Sequence, residues 1–270
     1  MSRKKLVNFN PESIIHPDDA AVISKVNKIP GFKHILKKTI GNYTEYLTKV
    51  TYTGNGYDIT ESSYPSIFKQ LDEDCRILGL KEIPLLTTSW EYFISSRTVG
   101  GDTNRIVITS GSIDLLTPQE LDFLLGHEIG HILCGHLPYH MLVEAMYMPI
   151  LSDNSILNPL TPIKLLMLEW YRISHYSADR VGLLACQDID VALRTMVKMS
   201  GLPKKYFNSI DIKAFIRQAN DFSENHSTAL DKVAKTVSIM SANAPWMVLR
   251  AKKLLEFYES DEYRAIIKNS

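Results

Sequence analysis

The sequence predicts a mainly α-helical protein with one small β-sheet, an α+β fold. Segments with helix-like apolar spacing fill most of the chain, and two short runs rich in β-branched residues fall together between 83 and 111. No internal repeat is present, and 270 residues with 45% hydrophobic content are enough for one sizeable core. We therefore expect a single domain over 1–270, with a helical N-terminal part over 1–80 and a core over 81–260.

The first part of the chain carries the signs of three helices. Residues 16–29 and 31–50 place apolar side chains at helical spacing. Residues 63–80 have Pro65 near the start and Gly79 near the end, which is typical of a complete helix.

A small β section follows these helices. The runs 83–90 and 104–111 are short and rich in β-branched residues, and the turn-rich segment 98–104 precedes the second run. We expect about three strands here, which is enough for a small sheet only.

The second half begins with the clearest helix of the chain. Thr117, Pro118 and Glu120 form a capping box with proline in the first helical position. A second long helix is predicted to begin at Thr161, with Pro162 in its first turn. Further helices are predicted at 190–200, 211–222, 226–241 and 246–259.

Charge and composition exclude several partners. The 30 Lys and Arg balance the 30 Asp and Glu, so the chain has no excess of basic residues. Such an excess would indicate binding to nucleic acid or to an anionic membrane, and neither is expected here. The N-terminus lacks a signal-like apolar core, and the most apolar region, 141–160, is broken by charges and prolines, so no membrane span is expected. Three widely spaced cysteines favour a reducing compartment, and we expect a cytosolic location.

The capped helix contains the sequence HEIGH, with His127, Glu128 and His131. Histidines four apart on a helix share one face, so both imidazoles can reach one tetrahedral metal ion. Glu128 is placed to take a proton from a water whose pKa a zinc ion lowers to about 7. Gly126 and Gly130 lower the helix propensity, which indicates a packing or functional reason for them.

A third ligand must come from elsewhere in the chain. The metzincin signature needs a histidine six residues after the second one, and that position is Leu137. His136 is one residue early, and on a continuing α-helix it would point well away from His131. We therefore expect no metal-binding role for His136, and the metzincin signature is not met.

The sequence around HEIGH carries a family resemblance. Together with ITSGSIDLLTPQELDFLL before it, and SADRVGLLA and PWMVLRAKKLLEFYES after it, HEIGH resembles the HtpX-like and CAAX-prenyl-endopeptidase family of gluzincin zinc metallopeptidases. The resemblance covers about 85–260 and is to a form without membrane spans. It implies a zincin-like fold with a zinc helix and an edge strand.

The resemblance also implies a third ligand. In the family a glutamate four residues before the aspartate of the Ala-Asp pair binds zinc, and here that position is His175, with Asp179 as the aspartate. A set of three histidines is a known zinc arrangement, so one Zn²⁺ per chain on His127, His131 and His175 is expected. The alternative makes Glu169 or another carboxylate the ligand and His175 a core residue, but Glu169 lies about 240° around the helix from His175. The family's aspartate braces a zinc histidine, and Asp179 is expected to do so here.

A second departure from the family lies near the C-terminus. Members often carry His-Pro there with an arginine six residues after the histidine, and the histidine is thought to stabilise the oxyanion. This chain has Ala244, Pro245 and then Arg250, so the arginine is kept and the histidine is absent. Arg250 is the leading candidate for the oxyanion role. The other candidates are Tyr171, Tyr176, His136, His140 and His226.

These features together predict a zinc-dependent endopeptidase, whose substrate would be a specific peptide or precursor, or damaged protein. Its substrate is expected to lie extended along an edge strand formed by 105–110. The alternative is a catalytically weak zinc-binding regulatory or binding protein on the same fold, which both departures motivate and the intact Glu128 disfavours. A hydrolase for a non-peptide amide has no supporting feature in the sequence.

Overall fold

The computed structural model describes residues 3–7, 9–34, 36, 50–100, 103–147, 161–225 and 246–270. These residues are mostly helical with one small mixed sheet, which confirms the predicted fold class. The helices are α1 (Pro11–Ile14), α2 (Pro17–Asn27), α3 (Pro65–Leu78), α4 (Ser110–Leu115), α5 (Pro118–Leu133), α6 (Leu137–Tyr147), α7 (Thr161–Cys186), α8 (Ile189–Met199), α9 (Ile212–Asn225), α10 (Met247–Tyr258) and α11 (Asp261–Lys268), with a 3-10 helix at Lys204–Ser209. The strands are β1 (Asp58–Ile59), β2 (Leu85–Ser89), β3 (Ser96–Val99) and β4 (Arg105–Thr109). The predicted helix at 226–241, and most of the one at 31–50, lie outside the described residues.

The sheet has the order β1-β2-β4-β3, with β2 and β4 parallel and the two outer pairs antiparallel. The prediction that 105–110 forms an edge strand is therefore wrong, because β4 is paired on both sides. Its partner β3 takes up Thr98 and Val99, which the sequence pattern assigned to a connection. Among the described strands, the edge on this side of the sheet is β3.

The capped helix α5 packs very closely against α7 because glycines stand in the contact. A Cβ added at Gly130 would lie 2.9 Å from the Cα of Ala178, and one at Gly126 would lie 2.3 Å from the Cβ of Ala185. On the other side, a Cβ at Gly182 would lie 2.8 Å from a backbone oxygen of α5. The glycines in the HEIGH region thus have a packing reason, which is to bring α7 close to the histidine face.

The end of α5 differs from the expected continuing helix. Gly135 adopts φ +69°, and the backbone N–H groups of Gly135 and His136 bond to Ile132 and His131 carbonyls at 3.1 and 3.0 Å. This is the Schellman arrangement, in which a left-handed glycine reverses the chain at a helix end. His136 is therefore turned back toward His131, so the expectation that it points away is wrong.

Two hydrophobic clusters lie along α7. The larger joins the sheet, α3, α5, α8, α10 and the C-terminal half of α7 from Val181 onward. The smaller has as its buried members Val26, Phe32, Leu142, Val143, Met167 and Trp170. His175 and Asp179 lie on α7 between the two clusters. Within the described residues, no helix has both the length and the apolar character needed to cross a bilayer.

Candidate metal centre

Three imidazole rings converge where α5 meets α7. His127 Nε2 lies 3.1 Å from His131 Nε2 and 3.1 Å from His175 Nδ1. His127 and His131 are buried, whereas His175 as a whole residue is partly exposed, with its Nε2 buried. Glu169 is exposed, so the structure brings His175 rather than Glu169 to the pair of histidines.

The spacing of these nitrogens fits a zinc ion. Zinc binds imidazole nitrogen at about 2.0–2.1 Å, and two ligands of a tetrahedral ion therefore stand about 3.4 Å apart. The observed 3.1 Å is close to that separation, and each ring contributes one nitrogen to the same space. The other nitrogen of His127 is held by Asp179, which directs the Nε2 lone pair to the shared space.

Asp179 holds His127 and is itself held by Arg250. Its Oδ1 lies 2.8 Å from His127 Nδ1, and the Arg250 guanidinium donates through Nε at 2.8 Å and Nη2 at 2.6 Å. Burial raises the pKa of Asp179, but Arg250 and then His127 outweigh burial and lower it below its ordinary value. The carboxylate is thus ionised and accepts the proton on His127 Nδ1.

Glu128 is fixed by hydroxyl groups from strand β3. Ser96 donates to its Oε1 at 2.6 Å, and Thr98 donates to its Oε2 at 2.7 Å. Both oxygens therefore accept a hydrogen bond, and the carboxylate is anchored beside the histidines. Sequence reasoning missed these two residues. A sequence signal exists in retrospect, since hydroxyl residues two apart on a strand point to the same face.

A second group of histidines surrounds His131. His131 Nδ1 lies 2.9 Å from His136 Nδ1, and His140 Nε2 shares a hydrogen bond of 2.9 Å with the Ser174 hydroxyl. His131, His136 and His140 could together hold a metal. However, His136 faces Nδ1 of His131, the nitrogen opposite the one that lies beside His127, so we interpret the contact with His136 as a hydrogen bond.

The enclosed imidazoles favour their neutral forms. Burial, followed by the nearby imidazoles, lowers the pKa of His131 and His140 well below 6.5. Burial and the positive charge of Arg250 do the same to the pKa of His175. Neutral imidazole is the form that binds a metal, so these rings favour the protonation state that a metal ligand needs.

The candidates for the oxyanion role are differently placed. The Arg250 guanidinium is buried against Asp179, and Tyr176 packs on the ring of His16. Tyr171 is half-buried with its ring 5.3 Å from the His175 ring, and burial followed by the charges of Glu144 and Glu128 raises its pKa to about 12. Ala244, Pro245 and His226 lie outside the described residues.

Comparison of the sequence with known proteins identifies the family of the chain. The sequence pattern of peptidase family M48 matches residues 92–258, which is more than half of the chain. The chain belongs to peptidase family M48. This confirms the HtpX-like resemblance. M48 peptidases are metallopeptidases, so membership implies a metal cofactor.

A curated relative extends the match of this M48 peptidase beyond that range. It is similar to the plastoglobule-localized metallopeptidase 48, chloroplastic, of Arabidopsis thaliana, with 26% identity over 269 residues. The match covers 97% of this chain and 77% of the relative. No solved structure matches the chain.

Proposed function

We propose that this M48 peptidase is a zinc-dependent endopeptidase with one zinc ion held by His127, His131 and His175. The convergence of three imidazole nitrogens from α5 and α7 beside an anchored carboxylate carries the proposal. A zinc ion in this position would lower the pKa of a coordinated water to about 7 and polarise the scissile carbonyl. We further propose that residues 1–270 act as one domain, since Leu6 and Ile14 share the larger core with α5.

Glu128 has the role of general base in this proposal. Its carboxylate accepts the proton of the attacking water and passes it to the leaving amine. Ser96 and Thr98 hold both carboxylate oxygens of Glu128, so its side chain is already ordered. It therefore loses no further rotamer entropy when it accepts the proton of the water. Asp179 keeps the proton of His127 on Nδ1, which leaves Nε2 free to bind the metal.

The peptide substrate is proposed to lie along the free edge of β3. The Ser95 carbonyl accepts from Thr109 N–H, and alternate residues of an antiparallel strand face the same way. The backbone groups of Ser96 and Thr98 therefore point away from β4, on the strand that carries the hydroxyls bound to Glu128. An extended peptide added to this edge would pass beside the general base.

Tyr171 is the residue that we propose for the oxyanion. Its phenol is protonated at neutral pH, since the ordinary tyrosine pKa is about 10 and burial raises it further, so it can donate a hydrogen bond. Its ring stands one turn before His175 on α7, on the side of the histidine cluster. The role first predicted for Arg250 stays a prediction, and the contacts of Arg250 favour support of Asp179 instead. The predicted cytosolic location likewise stays a prediction.

Replacement of Glu128 by glutamine tests the proposed function. Glutamine keeps the size of the side chain and removes its basicity, so Glu128→Gln should bind one zinc like wild type and lose at least about a hundredfold in kcat. The assay is cleavage of a peptide library by zinc-loaded protein, with metal content measured on the same samples. Zinc-loaded wild type with no turnover would instead support the catalytically weak zinc-binding protein.

A further inference from the structure

A second buried carboxylate, Asp19, approaches the metal centre from the N-terminal helix α2. Asp19 is 1% exposed. Its Oδ1 accepts from Trp170 Nε1 at 2.7 Å, and its Oδ2 accepts from the Ser177 hydroxyl at 2.6 Å and lies 3.0 Å from His136 Nε2. A carboxylate buried this deeply is costly unless it is paired and hydrogen-bonded, so this set of contacts calls for a reason.

His136 joins Asp19 to His131. One ring nitrogen of His136 faces Asp19 at 3.0 Å, and the other faces His131 Nδ1 at 2.9 Å. The contact with Asp19 is bent, and His136 Nε2 has no well-aligned hydrogen-bond partner in the described parts of the chain. The Asp19 carboxylate oxygen is nonetheless only 3.0 Å away, and the proximity of His136 is the strongest influence that lowers the pKa of Asp19 against the effect of burial.

The positions of the protons follow from these contacts. An ionised carboxylate only accepts, so Asp19 favours a proton on His136 Nε2, and the His136 tautomer with its one proton there presents a lone pair at Nδ1. Facing that lone pair at 2.9 Å, His131 is directed to carry its own proton on Nδ1. The lone pair of His131 is thereby placed on Nε2, which is the atom that faces His127 in the metal centre.

We infer that Asp19 and His136 are positioning residues that fix the tautomer and orientation of His131 for the metal. The inference rests on the proposed zinc site. It gives His131 the kind of support that His127 receives directly from Asp179. It also assigns a role in the metal centre to helix α2, which lies outside the residues matched by the family pattern.

The test is the zinc affinity of the full-length chain, measured with Zn²⁺ and a competing chelator. In Asp19→Asn the amide can donate to His136 Nε2, which allows the opposite tautomer in both rings. We expect about ten- to a hundredfold weaker zinc binding, the effect typical of lost support behind a ligand histidine. Asp74→Asn is the matched control, since Asp74 is equally buried and pairs with Arg3. It should bind zinc like wild type.

His136→Gln provides a second route to the same result. It should weaken zinc binding to a similar degree. The double variant should lose little more than the worse single variant, because both changes break one relay. Circular dichroism of each metal-free protein reports whether it is folded.

Three outcomes would overturn the inference. One is a folded Asp19→Asn or His136→Gln protein that binds zinc within twofold of wild type. Another is full additivity of the two losses, and the third is failure of both single variants to fold, which would make the pair a structural one. Wild type that binds no zinc would instead overturn the proposed function, and the inference with it.

Discussion

At the residue scale, the contacts of Arg250 and Tyr171 indicate different roles for these two residues. The sequence alone could not decide which of them stabilises the oxyanion. The Arg250 guanidinium has two hydrogen bonds to Asp179 and is 2% exposed. Tyr171 keeps accessible surface and a protonated phenol. We therefore propose that Arg250 supports the metal centre through Asp179 and that Tyr171 meets the substrate.

Substitution of each residue should therefore change a different quantity. Tyr171→Phe should leave zinc affinity unchanged and lower kcat by about ten- to a thousandfold, as loss of an oxyanion donor does. Arg250→Gln should weaken zinc binding, because it leaves the buried Asp179 without its cation. The measurements are chelator competition and steady-state kinetics at saturating zinc. Unchanged zinc affinity in Arg250→Gln, with a large loss in kcat, would return the oxyanion role to Arg250.

At the element scale, the contact between α5 and α7 determines whether the ligands meet. His127 and His131 come from α5, whereas His175 comes from α7. Glycine at 126, 130 and 182 lets the backbones of the two helices approach closely. The geometry of the proposed metal centre therefore depends on small residues that lie outside the histidine cluster.

Gly130→Ala tests this dependence. Alanine is favoured over glycine in a helix by about 1 kcal/mol, but its Cβ would lie 2.9 Å from the Cα of Ala178. Backbone cannot move as a side-chain tip can, and overpacking costs about 1–3 kcal/mol, so we expect lower stability and weaker zinc binding. Gly54→Ala is the control, because nothing lies within 4 Å of a Cβ there. Urea unfolding with unchanged midpoint and unchanged zinc affinity in Gly130→Ala would contradict the account.

At the scale of the whole molecule, the features that could be predicted from the sequence are those that local residue patterns determine. The capping box at Thr117 and the spacing of HEIGH are local, and both located α5 correctly. The strand order was not predictable, because β3 has no clear apolar alternation. Its pairing with β4 is set by the tertiary fold and not by a local pattern. The contact of His136 with His131 depends on the turn at Gly135. The contact of Asp19 with His136 joins segments that are distant in the sequence. These tertiary features gave no periodic signal.

Burial of neutral histidines should make the metal-free protein sensitive to acid. The pKa values of His131 and His140 are lowered in the folded state. Below about pH 6.5 these histidines are therefore protonated in the unfolded chain and still neutral in the folded one. Burial lowers the pKa of His175 in the same way. Stability is therefore present above pH 6.5 and lost as the pH falls, by about 1.4 kcal/mol per pH unit for each proton that only the unfolded chain binds. Urea unfolding of the metal-free protein from pH 7.5 to pH 5 measures this. A flat profile would contradict it.

The most direct test of the account is the zinc content of variants at position 175. Wild type should hold one zinc ion per chain. His175→Ala should lose most of it under chelator competition, while His175→Glu should retain it, because carboxylate oxygen is a normal zinc ligand at a similar distance. Glu169→Ala, an exposed position on the same helix, should match wild type. Full zinc occupancy in His175→Ala, at the affinity of wild type, would contradict the claim that three histidines from α5 and α7 form the metal centre.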